Sequence, residues 1–201
     1  MDRSSDGNVY LARHAETEWS LTGQHTGLTD LPLIELGERN ARRLGARLSG
    51  LSFARVFTSP LMRARLTCEL AGFGHVAEID NDLVEWDYGE YEGRRTVEIL
   101  AERPDWRLFR DGCPGGETPE QVAERADRVV NRVRAVEGDV LIFSSGHILQ
   151  MLAYRWVGIE TSSAGFLVLS TASLSTLGYE TRLGQPIIQL WNETQYLISS
   201  V

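Results

Sequence analysis

Hydrophobic positions along this chain follow two alternating periods. Val9-Tyr10-Leu11-Ala12 is a short unbroken apolar run, the mark of a strand buried on both faces. Ala54-Arg55-Val56-Phe57 reads as a second strand and Val140-Leu141-Ile142-Phe143 as the strongest. Between them the period lengthens. Ala41, Leu44 and Leu48 sit at helical spacing in a segment from Leu36 to Leu48 that stops at Gly50. After the second strand, Ser59-Pro60 predicts a helix with Ser59 as N-cap and Pro60 in its first position. Leu61, Ala64, Cys68 and Ala71 would form its inner face. Pro119 to Glu137 is the clearest helix: Thr118 caps it, Gln121 completes a capping box, and Gly138 ends it. Val122, Ala126, Val129, Val130, Val133 and Val136 make its apolar stripe. Ser144-Ser145-Gly146 turns the last strong strand into a helix reaching about Trp156. Ser173 to Ile198 reads as strands and turns.

The alternation predicts an α/β three-layer sandwich, with a mostly parallel central sheet and helices on both faces. The chain has 201 residues, which fits a single domain over 1–201. There is no repeat, low-complexity tract or linker.

Charge narrows the chemistry. The 28 acidic and 20 basic residues leave a net charge of −8, a poor balance for binding nucleic acid. All the basic residues are Arg. Without Lys there is no Schiff base, no lysine general base and no Walker A loop. Cys68 and Cys113 stand in no metal-ligand spacing and read as free thiols of a reducing compartment. Met1 to Asn8 is polar, with no apolar stretch of signal-peptide length, and no segment has the length and apolarity of a membrane span. The expected location is the cytoplasm.

In open α/β sheets, ligands bind beyond the carboxyl ends of the strands. Three predicted strands end in suggestive residues: Arg13-His14; Thr58-Ser59-Pro60 with Arg63 shortly after; and Ser144-Ser145-Gly146-His147. Taken singly, an Arg after a strand is usually a surface residue and a lone His is usually structural. Together at equivalent positions, two Arg, two His and two helix starts point to an anion site. A second element, Leu83 to Gly93, packs four carboxylates among aromatics and glycines. Glu85, between Val84 and Trp86, is expected to be partly desolvated, with a raised pKa suited to a general acid. The alternatives for that loop are a solvated acidic turn or a magnesium site.

Arg13-His14-Ala15-Glu16-Thr17 resembles the Arg-His-Gly-Glu-Thr signature of the histidine phosphatase superfamily, the phosphoglycerate-mutase-like fold. Ser59-Pro60-Leu61-x-Arg63-Ala64-x-x-Thr67 resembles its second motif. Leu83-x-Glu85 with Gly89 and Glu92-Gly93 resembles its acid loop, and Gly115-Gly116-Glu117-Thr118 the segment before its long helix. The likeness runs in order from about residue 9 to 158. Trp19 to Leu33, Glu85-Trp86-Asp87-Tyr88-Gly89 and Arg110-Asp111-Gly112-Cys113 are most similar to the branch of sedoheptulose-1,7-bisphosphatases and acid phosphatases.

The resemblance implies a cofactor-free, metal-free phosphatase acting on a small phosphorylated metabolite. His14 is the implied nucleophile, forming a phosphohistidine, with its other ring nitrogen held by a backbone acceptor. Arg13 and Arg63 would bind the phosphoryl oxygens. Glu85 would protonate the leaving alkoxide and then activate water. Ser20, Thr26, Gly27 and Tyr88 match substrate-contact positions. Two positions depart from the pattern. Ala15 replaces the commoner Gly. Ser145 stands where the family's second catalytic His belongs, leaving either His147 or Ser145 to serve the pocket. A phosphoglycerate mutase is the alternative, disfavoured because only Arg94 to Gly115 separates Glu92-Gly93 from Gly116-Glu117. A catalytically weak phosphosugar-binding protein is another. Arg94, Arg95, Arg107 and Arg110 could reach a second phosphate or form a solvated helix face. The oligomeric state is open, a homodimer included.

Overall fold

The computed structural model describes residues 7–198, so most of the polar stretch Met1 to Asn8 lies outside the described residues. Six strands form one sheet: β1 (Val9–Arg13), β2 (Arg55–Thr58), β3 (Glu78–Ile79), β4 (Val140–Ser144), β5 (Leu174–Tyr179) and β6 (Pro186–Glu193), in the order β3-β2-β4-β1-β5-β6. β3, β2, β4 and β1 are parallel neighbours. β5 runs antiparallel to β1, and β6 antiparallel to β5. The sheet is therefore mostly parallel, and the stretch Ser173 to Ile198 supplies its reversed margin.

The central strands read as unbroken apolar runs because both faces are covered. Val9, Leu11, Phe57, Val140 and Ile142 pack with α6 (Pro119–Arg134) and α7 (Gly146–Trp156). Ala12, Val56, Leu141 and Phe143 point the other way, onto α2 (Glu35–Leu48) and α3 (Met62–Leu70) through Leu44, Leu48 and Cys68. Each large aliphatic or aromatic side chain among them, fully buried, contributes roughly 1.5–3 kcal/mol. The remaining helices, α1 (Glu18–Thr22), α4 (Thr96–Glu102) and α5 (Leu108–Asp111), are short.

The Thr118–Gln121 capping box forms as expected: Gln121 N–H donates to Thr118 Oγ1 and Thr118 N–H to Gln121 Oε1. That helix ends at Arg134 rather than Glu137, leaving Val136 half-buried beyond it. The helix after β2 also differs. It starts at Met62, and Leu61, not Ser59, is its N-cap. Ser59 and Pro60 extend the chain past the strand, and Met62 N–H is taken at 2.6 Å by the carboxylate of Asp30. Its inner face is accordingly Arg63, Ala64, Thr67, Cys68 and Ala71, with Leu61 only half-buried.

Candidate active site

β2, β4 and β1 lie side by side, with Arg13 paired to Ser144 and Thr58 to Phe143, so the three suggestive strand ends meet at one edge. His14 extends β1 by one residue, and its N–H donates to Ser144 O at 2.8 Å. On its other side, Ala172 N–H donates to His14 O at 3.0 Å. Ala172 holds a left-handed φ of 52° while fully buried, so a strained residue anchors the histidine's backbone.

The His14 ring is buried, and Nδ1 lies 2.7 Å from Ala15 O. A carbonyl only accepts, so Nδ1 carries the proton and Nε2 is left with its lone pair. Burial pushes the His14 pKa well down, and the guanidinium groups of Arg63 and Arg13 push the same way. The ring is neutral at physiological pH, the state a nucleophile needs.

Arg63 is fully buried. Its Nε donates to Ser145 Oγ at 3.2 Å, Nη1 to Thr29 O at 3.0 Å, and Nη2 to Thr26 O and Gly27 O, each at 2.9 Å. One of its five N–H groups remains. Arg13 donates through Nη1 to Leu169 O, and its buried Nε has no partner among the described residues. The guanidinium packs over Gly146, where a Cβ would stand in ordinary contact at 3.4 Å from its carbon. Among the described residues, neither guanidinium forms an ion pair with a carboxylate. Burial lowers the pKa of both, opposed chiefly by the negative charge of Glu85.

Glu85 is buried at the start of α7. Its carboxylate accepts from the N–H groups of His147 and Ile148 at 2.9 Å and from Trp86 at 3.0 Å. Burial pushes its pKa up, as expected from its apolar neighbours. A charge on His147, the N–H groups of His147 and Trp86, and Arg63 outweigh burial, so the net shift is downward. This reverses the raised pKa expected from the sequence.

His14, Arg13, Glu85, Ser20, Thr26, Tyr88 and His147 all line one pocket of about 240 Å³, and Glu85 is its only carboxylate among the described residues. Tyr88 OH lies 2.5 Å from His147 Nδ1. Arg63, Gly27 and Ser145 stand behind the wall rather than on it. The Gly27 N–H, expected at the substrate, is taken by the Glu92 carboxylate at 2.9 and 3.0 Å. A Cβ there would meet Trp86 O at 2.5 Å, so glycine is needed for close packing. Ser20 reaches the pocket, but its hydroxyl closes the capping box of α1 with Thr17.

Sequence reasoning missed His25, Thr96 and Gln150, which also line the pocket. Gln150 is polar in the apolar run Ile148-Leu149-Gln150-Met151, one turn beyond His147, and that spacing was its signal. His25 stacks on Tyr88 at 4.7 Å, and its pKa falls to about 4, first through burial and then through repulsion from His147.

Residues 9–194 match the sequence profile of the histidine phosphatase superfamily (branch 1). The chain belongs to that superfamily. It is 39% identical over 178 residues to an acid phosphatase of Mycobacterium tuberculosis, covering 86% of each chain. It is 38% identical over 182 residues to a sedoheptulose 1,7-bisphosphatase of Saccharomyces cerevisiae, covering 74% of this chain and 67% of that one. A solved structure from Mycobacterium tuberculosis superposes with a TM-score of 0.88 at 36% identity, covering 94% of this histidine phosphatase and 98% of that chain. Among the described residues, no helix of this superfamily member is long and apolar enough to cross a membrane.

Proposed function

We propose that this protein hydrolyses a small phosphorylated metabolite, a sugar phosphate or bisphosphate, without a metal and through a phosphohistidine on His14. Its superfamily and its likeness to a named acid phosphatase and a sedoheptulose 1,7-bisphosphatase make it a phosphoric monoester hydrolase. The observation that carries the finer reading is the fully buried Arg63 and the half-buried Arg13, whose Nε is buried without a partner, both lacking a carboxylate ion pair among the described residues and set beside a neutral imidazole. Buried charge is costly unless paired, and an incoming phosphoryl group supplies the missing anion.

In this reading the phosphoryl group lies against Arg13, with the remaining N–H of Arg63 behind it. His14 Nε2 attacks phosphorus as the bond to the leaving oxygen breaks. Glu85 gives that oxygen its proton. Glu85 then takes a proton from water as the water attacks the phosphohistidine, which frees phosphate and restores His14. Negative charge spread over the transferring group is met by fixed donors. The depressed Glu85 pKa fits this sequence, because a bound phosphoryl anion raises it again and lets the acid form load.

Near neutrality Tyr88, whose pKa burial raises well above normal, keeps its proton and donates it to His147 Nδ1. Neutral His147 then presents Nε2–H to the pocket, a donor in place of the second cationic histidine that Ser145 does not supply. The reading includes a cytoplasmic location, where the buried thiols of Cys68 and Cys113 stay reduced.

The test is phosphate release from ketose phosphates and bisphosphates in EDTA, comparing wild type with His14→Ala. Activity in wild type and none in the variant supports the reading. Dependence on an added divalent ion, or equal rates in both proteins, removes it.

A further inference from the structure

The phosphate pocket opens into a larger cleft of about 870 Å³, and Arg13, His25, Thr96, His147 and Gln150 belong to both walls. No Asp or Glu lines the outer cleft among the described residues. Its two outer cations are Arg107 and Arg110, at the start and within the body of α5. Arg110 is neutralised: Nε and Nη2 each donate to the Asp111 carboxylate at 2.8 Å. The same carboxylate takes the Arg107 backbone N–H at 2.7 Å, and the Arg107 side chain makes no ion pair with it. Among the described residues, that side chain donates only to the Trp106 carbonyl, at 2.9 Å. Arg94 and Arg95 are paired with Glu102 and Glu98 and lie outside the cleft. In a chain of net charge −8, Arg107 is thus a cation without an acidic partner on a wall cleared of acids.

Facing it, the strap around Phe166 and Val168 is apolar, with those side chains 62% and 68% exposed. Tyr154 OH fixes the strap by accepting the N–H groups of Gly165, Phe166 and Leu167 at 2.7–2.9 Å. We propose that this cleft is the leaving-group subsite for a phosphomonoester bearing a second anionic group, with Arg107 as the counter-ion and the strap covering the carbon skeleton. The proposal rests on the His14 pocket taking the scissile phosphoryl group. The second anion is a phosphate or a carboxylate; both suit a guanidinium.

Two substrate comparisons separate these sources. 3-Phosphoglycerate against glycerol 3-phosphate isolates a carboxylate. Fructose 1,6-bisphosphate against fructose 1-phosphate and fructose 6-phosphate isolates a second phosphate. The expected result is a higher kcat/KM for the doubly anionic member of at least one set. Arg107→Ala and Arg107→Gln reduce that preference about fivefold, mainly through KM. Arg107→Lys keeps part of it, and Arg95→Ala keeps all of it. A wild type indifferent to the second anion in both sets overturns the proposal, as does a preference that survives both Arg107→Ala and Arg107→Gln. No phosphate release from any of the five compounds would instead overturn the His14 reading, and this proposal with it.

Discussion

Arg63 Nε donates to Ser145 Oγ at 3.2 Å, joining the first turn of α3 to the N-cap of α7 deep under the phosphate pocket. The contact gives the departure from the family pattern a physical role. The hydroxyl stands behind the pocket wall and accepts a hydrogen bond from the guanidinium. Ser145→Ala leaves a buried N–H without an acceptor, at a cost of about 1–3 kcal/mol. Urea denaturation should show that loss, together with a reduced kcat/KM. Unchanged stability would mean that Arg63 finds another partner.

In the proposed mechanism Glu85 sets the pH dependence. The first chemical step needs its protonated form, so kcat/KM falls as pH rises through the Glu85 pKa. That pKa is depressed in the free enzyme, which puts the falling limb on the acid side. His14 is depressed as well and stays neutral, so activity persists into acid. Glu85→Gln should lower kcat about a hundredfold or more and remove that limb. An optimum above neutral pH would contradict this assignment.

In the proposed reading Tyr88 fixes the tautomer of His147 by donating to its Nδ1. Nitrogen-15 spectra of the wild type near neutral pH should show His147 protonated at Nε2. Tyr88→Phe should give a mixture of tautomers and a several-fold loss in kcat, consistent with losing a neutral hydrogen bond of about 1 kcal/mol. An Nδ1–H tautomer in wild type would make His147 the donor and Tyr88 the acceptor, and would take the Nε2–H donor out of the pocket.

Gly27 is a packing position. Gly27→Ala places a methyl against Trp86 O and the Glu92 carboxylate, at 2.5 and 2.6 Å. The expected destabilisation is about 1–3 kcal/mol, read by thermal or urea unfolding. Wild-type stability would show that the 23–29 segment moves freely.

Much of this was legible in the sequence because the signals were local. The apolar runs of β1, β2 and β4, the Thr118–Gln121 box and the Arg13-His14 strand end depend on neighbours within a few residues. What escaped depends on distant ones. Ser59-Pro60 looks like a helix start, yet Asp30, 32 residues away, caps the helix at Met62. Glu85 looks desolvated beside Val84 and Trp86, yet the charge and the N–H of His147, 62 residues on, lead the causes that lower its pKa. α4 and α5 span seven and four residues, too short for periodicity to register. Nor could sequence spacing tell that Gly27 faces Glu92 while His25 faces the pocket.

Every catalytic role assigned above depends on a covalent bond between phosphorus and His14 Nε2. Rapid mixing with an active phosphomonoester, quenching in base, and mass spectrometry of the peptide containing His14 detect that bond. The expected result is a phosphorylated histidine at position 14 that forms and decays at rates compatible with turnover and is absent from His14→Ala. Phosphate release in wild type with no phosphohistidine on that peptide, or with the label on His147, would rule out His14 as the nucleophile.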